Sequence, residues 1–453
     1  MVYRNKMAKN VIEKSPIDDI LVELINGNLF DISCMQKYGA TDDKGRYLYW
    51  DKFKWQIDKE DNPKKAWFAV KSARDRLMKR LDLLDKQNKP FSFCIPDTLQ
   101  AKLYKVSELS RRGIVPHDTV KGNYLLSSLM MEESISSSQL EGASTTRKIA
   151  KALLVSDKKP KNEDEEMIVN NYLLMKEVKR VRYDVLSIDM ILEFHRIATH
   201  GNTDNGNIEG TFRTNDEIVI TDGLEDNILH QPPKYKELVQ RIATLCDFAN
   251  TNHSGENDTI FIDPIVKAIL LHFMVGYIHP FADGNGRTAR ALFYWYMLKN
   301  DFNYFEYISI SKLLKVAPKQ YSMSYLYSEA DDNDVTYFIE YQLTIILRAI
   351  DELLEYLENK SIEYEEVSEI LKDSTLNQSL NFVQKDIIQK AIKNPGRIFT
   401  ALEIRADYGI APTTARKYLK ELAEHKILVY YKDGKTIAYI APENLHDILK
   451  KAN

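Results

Sequence analysis

Cysteine is scarce in this sequence, with three residues among 453. Cys34, Cys94 and Cys246 are far apart and lack paired spacing, which argues against a disulfide framework and against a zinc ribbon. Sparse, unpaired cysteine is typical of proteins that work in a reducing cytosol, so we expect a cytoplasmic protein.

Long apolar runs and a strong excess of one charge are also missing. The longest apolar stretch, residues 263–278, is broken by Lys267 and His272, which excludes a membrane-spanning helix there. No apolar segment follows the basic residues of 1–10, so we expect no secretory signal. The formal net charge is −4, with 28% charged and 44% hydrophobic residues. We therefore expect a globular protein in which any polyanion-binding surface is local.

The most informative stretch is residues 279–290, His-Pro-Phe-Ala-Asp-Gly-Asn-Gly-Arg-Thr-Ala-Arg. His279 precedes a proline, which disfavours the α region and predicts that the incoming helix ends here. That helix has Asp263 as a good N-cap and Pro264 at its first position, and its dense apolar residues predict burial. His279 is therefore expected at the end of a rigid element.

Glycine and arginine dominate the second half of this stretch. Gly284 and Gly286 permit left-handed or closely approached backbone around Asn285, where successive N–H groups can cup an anion. The next helix is predicted to begin near Gly286, with free N–H groups that favour phosphate. Arg287 and Arg290 lie on one side of its first turn, where the helix dipole disfavours cations. A polyanion bound between them and the helix would resolve that conflict.

A carboxylate and an imidazole complete the stretch. Asp283 supplies one hard oxygen ligand, and Mg²⁺ sites commonly combine one or two carboxylates with substrate phosphates and water. His279 is the only group here that ordinarily titrates near neutrality, so it is the natural proton acceptor. The residues predict a loop that holds a phosphate chain and a divalent metal beside a base. The alternative is a helix–loop–helix turn with incidental charges.

Residues 279–290 resemble, at every position, the signature of the Fic family, His-Pro-Phe-x-Asp/Glu-Gly-Asn-Gly-Arg-x-x-Arg. Members of that family typically transfer AMP from ATP to a hydroxyl side chain of a target protein. The resemblance implies that His279 deprotonates the target hydroxyl and that Asp283 binds Mg²⁺. The nucleotide-binding residues that it implies are Asp283, Gly284, Asn285, Gly286, Arg287 and Arg290, with Arg290 on the γ-phosphate.

An earlier segment, Ser137-x-x-x-Glu141-Gly142, ends a predicted helix over 124–141 for which Gly142 is the C′ residue. The helix dipole disfavours an anion in the last turn, so Glu141 is expected to take a cationic partner; the alternative is a surface acid near a frayed end. The segment resembles the inhibitory motif Ser/Thr-x-x-x-Glu-Gly/Asn of Fic proteins. That resemblance implies that Glu141 pairs with Arg290 and denies it to the γ-phosphate.

A β-branched run within residues 210–223 predicts a short hairpin. In Fic proteins a hairpin at this position, the flap, lies over the active site and registers the target by strand-like backbone pairing. Tyr321, farther along the chain, is interpreted either as a residue bordering the adenine or as a core residue. The predicted flap residues are Ile218, Val219, Ile220 and Thr221.

The other histidines are predicted to be structural. His195 is interpreted as a packed or capped residue rather than a catalytic one. His195 with His200, and His272 with His279, are loosely spaced, and no neighbouring Cys or carboxylate completes a zinc set.

Four regions are predicted. Residues 1–104 form an N-terminal Fic-associated region, whose aromatic residues are interpreted as packing residues. Its Tyr-x-x-Trp-Asp element at 47–51 and its Trp-x-Ala-x-Lys-x-Ala-Arg helix at 67–74 resemble one branch of multidomain Fic proteins. Residues 105–360 are the predicted catalytic region, and 361–380 are a linker or the tail of a long helix.

Residues 381–453 form the fourth region and carry 13 Lys+Arg against 8 Asp+Glu. Two helical stretches, a third helix over 410–422 with exposed basic residues, and a hairpin over 427–440 with an Asp-Gly turn resemble a winged helix–turn–helix. Such a module contacts DNA phosphates or, as the alternative, mediates dimerisation or target contact.

The predicted fold class is mainly α: an all-helical Fic core with a short β-hairpin flap, plus a C-terminal winged helix–turn–helix-like α+β domain. The predicted activity is protein adenylylation with ATP and Mg²⁺, restrained by Glu141. Two alternatives stay open. One is removal of AMP from a modified protein, with Glu141 orienting water, and the other is a DNA-binding regulator whose Fic domain senses nucleotide. A monomer and a homodimer are both compatible with the sequence.

Overall fold

Helices make up most of the computed structural model, as the sequence predicts. The described residues are 12–25, 32–111, 131–146, 149–150, 153–154, 159–202, 206–221, 227–256, 260–370, 379–433, 436–445 and 448–449. The helices are α1 Ile17–Ile25, α2 Ile32–Lys37, α3 Trp50–Phe53, α4 Pro63–Asp75, α5 Asp97–Arg111, α6 with described part 131–140, α7 Glu163–Arg180, α8 Ile188–Ala198, α9 Leu238–Asn250, α10 Pro264–Ile278, α11 Asn285–Lys299, α12 Ile310–Val316, α13 Pro318–Ala330, α14 Thr336–Ile370, α15 Phe382–Lys393, α16 Ala401–Tyr408 and α17 Pro412–Glu424.

The strands are short and form antiparallel pairs. β1 pairs with β2, β3 pairs with β4, and the third sheet has the order β5-β7-β6. The β1–β2 hairpin was not predicted, although its alternating burial follows the period of a half-buried strand. The strands are β1 Lys79–Leu84, β2 Pro90–Phe93, β3 Ile220–Thr221, β4 Ile228–His230, β5 Ile398–Thr400, β6 Val429–Asp433 and β7 Thr436–Ile440.

The chain divides into two compact units. The first contains residues 1–109, 173–303 and 313–347, and the second contains 110–172, 304–312 and 348–453. The four predicted regions have different boundaries and stay a prediction. In the described part of the chain, no helix is long and apolar enough to cross a membrane.

Helix α10, in the first unit, is buried, as the sequence predicts. Asp263 caps it by accepting the N–H of Ile265 at 2.8 Å, and Pro264 takes the first helical position. Thirteen of its fifteen residues are buried. It packs against α11, which in turn packs against α8. The loop between α10 and α11 is therefore held at both ends by buried helices.

The aromatic residues of the N-terminal region pack, as predicted. The rings of Trp50 and Trp67 meet edge to face, with centroids 5.8 Å apart. Arg74 is buried beside them, and its guanidinium lies 3.6 Å from the centre of the Tyr47 ring. The same guanidinium donates to the hydroxyl of Tyr337 at 2.7 Å. These contacts join α4 to α14 within the first unit.

In the second unit, Glu133 anchors helix α6. Its buried carboxylate accepts from the hydroxyl of Ser309 at 2.7 Å. It also accepts from the hydroxyl of Ser311 and, at 3.3 Å, from the Ser311 N–H. Because Ser311 lies in the first turn of α12, the anion also meets the favourable end of that helix.

The C-terminal region contains the three predicted helices followed by the predicted hairpin, and it also contains a strand that was not predicted, β5, which lies between α15 and α16 and pairs with β7. α15 begins with a capping box between Asn381 and Gln384, and Thr400 caps α16 by accepting the N–H of Glu403. The predicted hairpin is confirmed as β6 and β7, while residues 434–435 of its turn lie outside the described residues. The apolar core includes Val383, Ile387, Phe399, Ile404, Leu419, Leu422 and Tyr439.

The segment 361–380 is helical in its first half, because α14 continues to Ile370. This is the second of the two interpretations of that segment, the tail of a long helix. Residues 371–378 lie outside the described residues.

Candidate active site

His279 ends α10 in the left-handed conformation, with φ 48° and ψ 60°. The helix ends where predicted, but the backbone does not adopt the extended conformation that a residue before proline prefers. The His279 N–H donates to the carbonyl of Val275 at 2.9 Å, which closes the last helical turn. A non-glycine residue at positive φ stores roughly 1–2 kcal/mol of strain, so other contacts must hold His279 in this conformation.

One contact of the His279 ring defines which nitrogen carries the proton. Its Nδ1 lies 3.3 Å from the carbonyl oxygen of Gly276, which can only accept a hydrogen bond. The contact therefore places the proton of a neutral ring on Nδ1 and the lone pair on Nε2. His279 is half-buried.

The loop that follows is closed by Asn285, which is buried. Its Oδ1 accepts from the N–H of Phe281 at 3.0 Å, and its Nδ2 donates to the Phe281 carbonyl at 2.9 Å. Both ends of the amide are thus used within the loop. An anion at the start of α11 would meet backbone N–H groups rather than the Asn285 side chain.

Position 284 favours glycine for two reasons, its left-handed backbone and the lack of space for a Cβ. It is the N-cap of α11 with φ 78°, and a Cβ there would lie 2.5 Å from Cγ2 of Thr199. The predicted left-handed backbone is confirmed at Gly284. Gly286 is instead helical, because α11 begins one residue earlier, at Asn285.

Asp283 and Arg287 form an ion pair across this loop. Nη2 of Arg287 lies 2.5 Å from Oδ2 of Asp283, and Nη1 donates to the Ala198 carbonyl at 2.7 Å. The same Asp283 oxygen accepts from Nδ2 of Asn202 at 2.7 Å. The carboxylate therefore offsets part of the unfavourable interaction between the charge of Arg287 and the dipole at the N-terminus of α11. Nε of Arg287 is buried and has no hydrogen-bond partner within the described residues.

His195 is the packed histidine that the sequence predicts. Its ring stacks on Phe281 with centroids 3.7 Å apart and planes 2° apart. Nδ1 accepts the N–H of Gly210 at 3.1 Å, so Nε2 carries the proton and donates to the carbonyl of Asp283 at 3.0 Å. Burial lowers the pKa of His195 to about 4, which keeps the ring neutral. His195, on α8, thus holds the loop between α10 and α11 through Phe281 and Asp283. The spacing of histidines in the sequence did not predict this role.

Arg290 lies on α11 one turn after Arg287 and is buried. Burial, followed by the charge of Arg290, lowers the pKa of the nearby His272 to about 3. Nε2 of His272 lies 2.8 Å from the hydroxyl of half-buried Tyr321. This pair joins α10 to α13 beside Arg290. The position of Tyr321 at the border of an adenine stays a prediction.

The predicted flap strand is shorter than the β-branched run. β3 contains Ile220 and Thr221 only, while Ile218 and Val219 precede it. Its partner β4 was not predicted, because three residues give too short a pattern. Residues 222–226, which include the predicted turn at 222–223, lie outside the described residues.

Arg213 joins the flap to the end of α10, and no sequence pattern pointed to it. Its buried guanidinium donates through Nε to the carbonyl of His279 at 3.0 Å and through Nη1 to the carbonyl of Asn215 at 2.7 Å. Nη1 also lies 3.0 Å from Oδ1 of Asp216, and Nη2 donates to the carbonyl of Pro233.

Comparison with known proteins identifies the segment that contains this loop. The Fic/DOC family profile matches residues 185–297. These residues form a Fic domain. The matched segment runs from just before α8 to residue 297, in the last turn of α11, and includes Arg213, His279 and the Asp283–Arg287 pair.

Curated relatives of this Fic domain protein are named protein adenylyltransferases. The chain is 33% identical over 165 residues to protein adenylyltransferase fic-1 of Caenorhabditis elegans, covering 35% of this chain and 28% of the relative. It is 24% identical over 294 residues to protein adenylyltransferase Fic of Nematostella vectensis, covering 65% of this chain and 59% of the relative. The chain thus spans less than two thirds of the length of these relatives.

Solved Fic structures resemble the chain at low identity. A Fic family protein from Desulfovibrio desulfuricans G20 has a TM-score of 0.48 and 16% identity, covering 76% of this chain and 95% of that chain. Fic-1 of Caenorhabditis elegans, residues 134–508, has a TM-score of 0.47 and 18% identity, covering 77% of this chain and 90% of that chain.

Asp283 is suited to be one ligand of a Mg²⁺ ion. Its carboxylate is 28% exposed, and within the described residues its Oδ1 accepts no hydrogen bond. One accessible carboxylate oxygen beside a helix N-terminus fits a metal whose other ligands are phosphate oxygens and water. A cluster of three or more His, Cys, Asp or Glu residues suited to a metal does not occur in the described part of the chain.

The segment with the inhibitory pattern ends helix α6 of the second unit. Ser137 is buried, Glu141 is half-buried, and the N–H of Ala143 donates to the Ser138 carbonyl at 3.0 Å. Gly142 has φ 105°, which confirms it as the residue that terminates the helix. Residues 124–130 of the predicted helix lie outside the described residues.

Proposed function

We propose that this protein transfers AMP from ATP to a hydroxyl side chain of a target protein. The observation that carries the proposal is the orientation of His279: its Nδ1 faces the Gly276 carbonyl, so Nε2 is the basic nitrogen, on a residue six positions before α11 begins. The names of the relatives point to the same reaction.

The proposed reaction is a direct transfer of AMP to the target hydroxyl. Nε2 of His279 takes the proton of the target hydroxyl, and the hydroxyl oxygen attacks the α-phosphorus of ATP. The bond from the α-phosphorus to the bridging oxygen breaks, and pyrophosphate leaves. Backbone N–H groups at the start of α11, with Arg287 and Arg290, would balance the phosphate charges. Mg²⁺, held by Asp283 and the phosphates, would supply further positive charge when bound.

We infer that Glu141 restrains this activity. The support is the sequence pattern Ser137-x-x-x-Glu141-Gly142, together with a helix that ends at the predicted glycine. A carboxylate at the C-terminal end of a helix favours a cationic partner, and the proposed partner is Arg290. When Arg290 is so engaged, it is denied to the γ-phosphate.

Labelling with ATP radiolabelled at the α-phosphate tests both statements. Wild type, Glu141→Gly and His279→Ala are incubated with Mg²⁺ and a lysate, and labelled proteins are resolved and identified by mass spectrometry. We expect Glu141→Gly to increase labelling and His279→Ala in the Glu141→Gly background to abolish it. Unchanged labelling in Glu141→Gly contradicts restraint, and labelling that survives His279→Ala contradicts the role of the base. Release of AMP from a labelled target without ATP would favour the opposite reaction.

We also propose that residues 381–453 are a winged helix that binds DNA. The supporting observation is one exposed face of α17, which presents Thr413, Arg416, Lys417 and Lys420 at helical spacing, opposite the buried Ala415 and Leu419. Basic residues on such a face are suited to phosphate contacts. Nζ of Lys420 lies 3.3 Å from Oε1 of Glu424, so part of the positive charge of this face is balanced within the helix.

A mobility-shift titration at several salt concentrations tests DNA binding. Replacing Arg416, Lys417 and Lys420 by alanine is expected to lower the affinity and reduce the salt slope by about three, because each phosphate contact contributes roughly 0.9 to it. Lys393→Ala, which removes an exposed lysine from α15, is the matched control. An unchanged slope in the triple variant assigns this face to dimerisation or target contact instead.

A further inference from the structure

The C-terminal end of α10 leaves backbone carbonyls that the helix itself cannot satisfy. The flap region, residues 210–221 and 227–233, reaches one of them, at Tyr277, and two further carbonyls that directly follow the helix, at His279 and Pro280. The carbonyl of Tyr277 lies 2.8 Å from Nε2 of His230, the carbonyl of His279 accepts from Nε of Arg213, and the carbonyl of Pro280 accepts from the Arg213 N–H at 2.9 Å. The flap region therefore serves as the C-terminal cap of the helix that carries the base.

Arg213 is the main element of this cap. Its guanidinium donates to the carbonyl of His279 and to the carbonyls of Asn215 and Pro233. Asn215 precedes β3 and Pro233 follows β4, so the guanidinium bonds both ends of the flap. Three of its acceptors are backbone carbonyls, whose positions define the path of the chain. A buried, planar guanidinium with this many acceptors is rigid, and lysine cannot reproduce the geometry.

His230 provides a second attachment. It lies on β4, is buried, and packs near the ring of Tyr277 with centroids 4.9 Å apart. Its Nε2 faces the Tyr277 carbonyl, and its Nδ1 lies 2.8 Å from the carboxylate of Glu329 on α13. The last turn of α10 is thus held by β4 as well as by Arg213.

We propose that Arg213 is a positioning residue for the reaction. Through it, the position of the flap and the position of His279 depend on each other. The left-handed conformation of His279 is strained, so it persists only where its surroundings determine it. Arg213 supplies such a restraint on the His279 carbonyl. In the described residues β3 pairs only with β4, so a target strand can bind along its other edge. Such binding would act, through the flap, on the guanidinium of Arg213 that holds His279. The catalytic part of this inference rests on the proposed function.

The first test needs no turnover. In wild type, Arg213→Lys and Arg213→Ala, we would follow the imidazole NMR signals of His279 and hydrogen exchange of the amides of 220–221 and 228–230. We expect both the His279 signals and the exchange rates to change in the two variants. Arg196→Ala, which removes an exposed arginine from α8, is the control and is expected to change neither. His279 signals that stay unchanged in Arg213→Ala overturn the inference, whether or not the protein transfers AMP.

The second test uses the transfer reaction in the Glu141→Gly background. Arg213→Ala is expected to lower kcat roughly 10- to 100-fold with ATP affinity changed less than about twofold, because a misplaced base slows the chemical step. Added guanidinium at millimolar concentration is expected to restore part of the rate, and Arg213→Lys is expected to restore little. Equal losses of kcat and of ATP affinity would overturn the positioning role.

A milder variant guards against a loss of folding. Asp216 is 42% exposed and is one of the acceptors of Arg213, so Asp216→Asn weakens the attachment without leaving the guanidinium unpaired. We expect a smaller decrease in kcat, with a melting temperature close to that of wild type. A variant that keeps full kcat although its His279 signals shift would overturn the coupling. If Glu141→Gly itself transfers no AMP while Arg213→Ala moves both flap and His279 signals, the proposed function fails and the anchoring stands.

Discussion

Asn285 donates to and accepts from the backbone of a single residue, Phe281, and so closes the loop between α10 and α11. Replacing Asn285 by aspartate keeps the acceptor for the Phe281 N–H but removes the donor to its carbonyl. We expect Asn285→Asp to lower the free energy of unfolding by about 1–3 kcal/mol, the effect of leaving a buried acceptor without its donor. Urea denaturation measures it, with Asn252→Asp as an exposed control that changes stability by less than about 0.5 kcal/mol. Equal effects would contradict a special role for the closure.

Gly284 and Gly396 separate the effect of backbone conformation from that of crowding. Both have φ near 78°, but a Cβ on Gly284 would meet Thr199 at 2.5 Å, whereas Gly396 has no atom within 4 Å of that position. Gly396→Ala should therefore cost about 1 kcal/mol from the left-handed backbone alone. Gly284→Ala should lower the free energy of unfolding by at least about 1–3 kcal/mol more. Thermal and urea denaturation compare the two, and equal losses would contradict the steric argument.

Lys267 is buried in α10, where its ammonium donates to the carbonyl of Thr251 at 2.6 Å. Burial lowers its pKa to about 8 from an ordinary value of 10.5. Between these two pH values the unfolded chain binds more protons than the folded one, so stability rises with pH across this window. We expect the wild type to gain about 3 kcal/mol relative to Lys267→Met between pH 7 and pH 10.5. Urea denaturation at several pH values tests this, with Lys315→Met, an exposed lysine, as control; parallel curves for wild type and Lys267→Met would contradict it.

Glu133 holds α6 through Ser309 and Ser311, near the described start of this helix, whose last helical residue, Leu140, directly precedes Glu141. Glu133→Gln keeps the size of the side chain but replaces one acceptor oxygen by a donor, so the contacts with the two hydroxyls weaken. If the position of α6 restrains transfer, labelling should rise above wild type but less than in Glu141→Gly. Glu163→Gln, an exposed change on α7, should have no effect. Labelling that stays at the wild-type level in Glu133→Gln would show that this anchor does not control activity.

Local patterns predicted the elements whose causes are local. Asp263 and Pro264 start α10 and the residue before Pro280 ends it, because each depends on the conformational preference of one or two neighbouring residues. The dense apolar run of α10 predicted its burial for the same reason. The start of α11 was predicted near Gly286, one residue after its position at Asn285. The residues of the 279–290 loop could therefore be selected from the sequence before any contact was known.

The tertiary structure alone decided which distant residues support that loop. Arg213 is 66 positions from His279, and His195 is 88 positions from Asp283, so no periodic pattern links either pair. The second flap strand, β4, has three residues and gives no readable alternation. The sequence by itself determined the residue types of the loop and the ends of its two helices. The left-handed conformation of His279, the tautomer of His195 and the attachment of the flap depend on hydrogen bonds between remote segments, which only folding brings together.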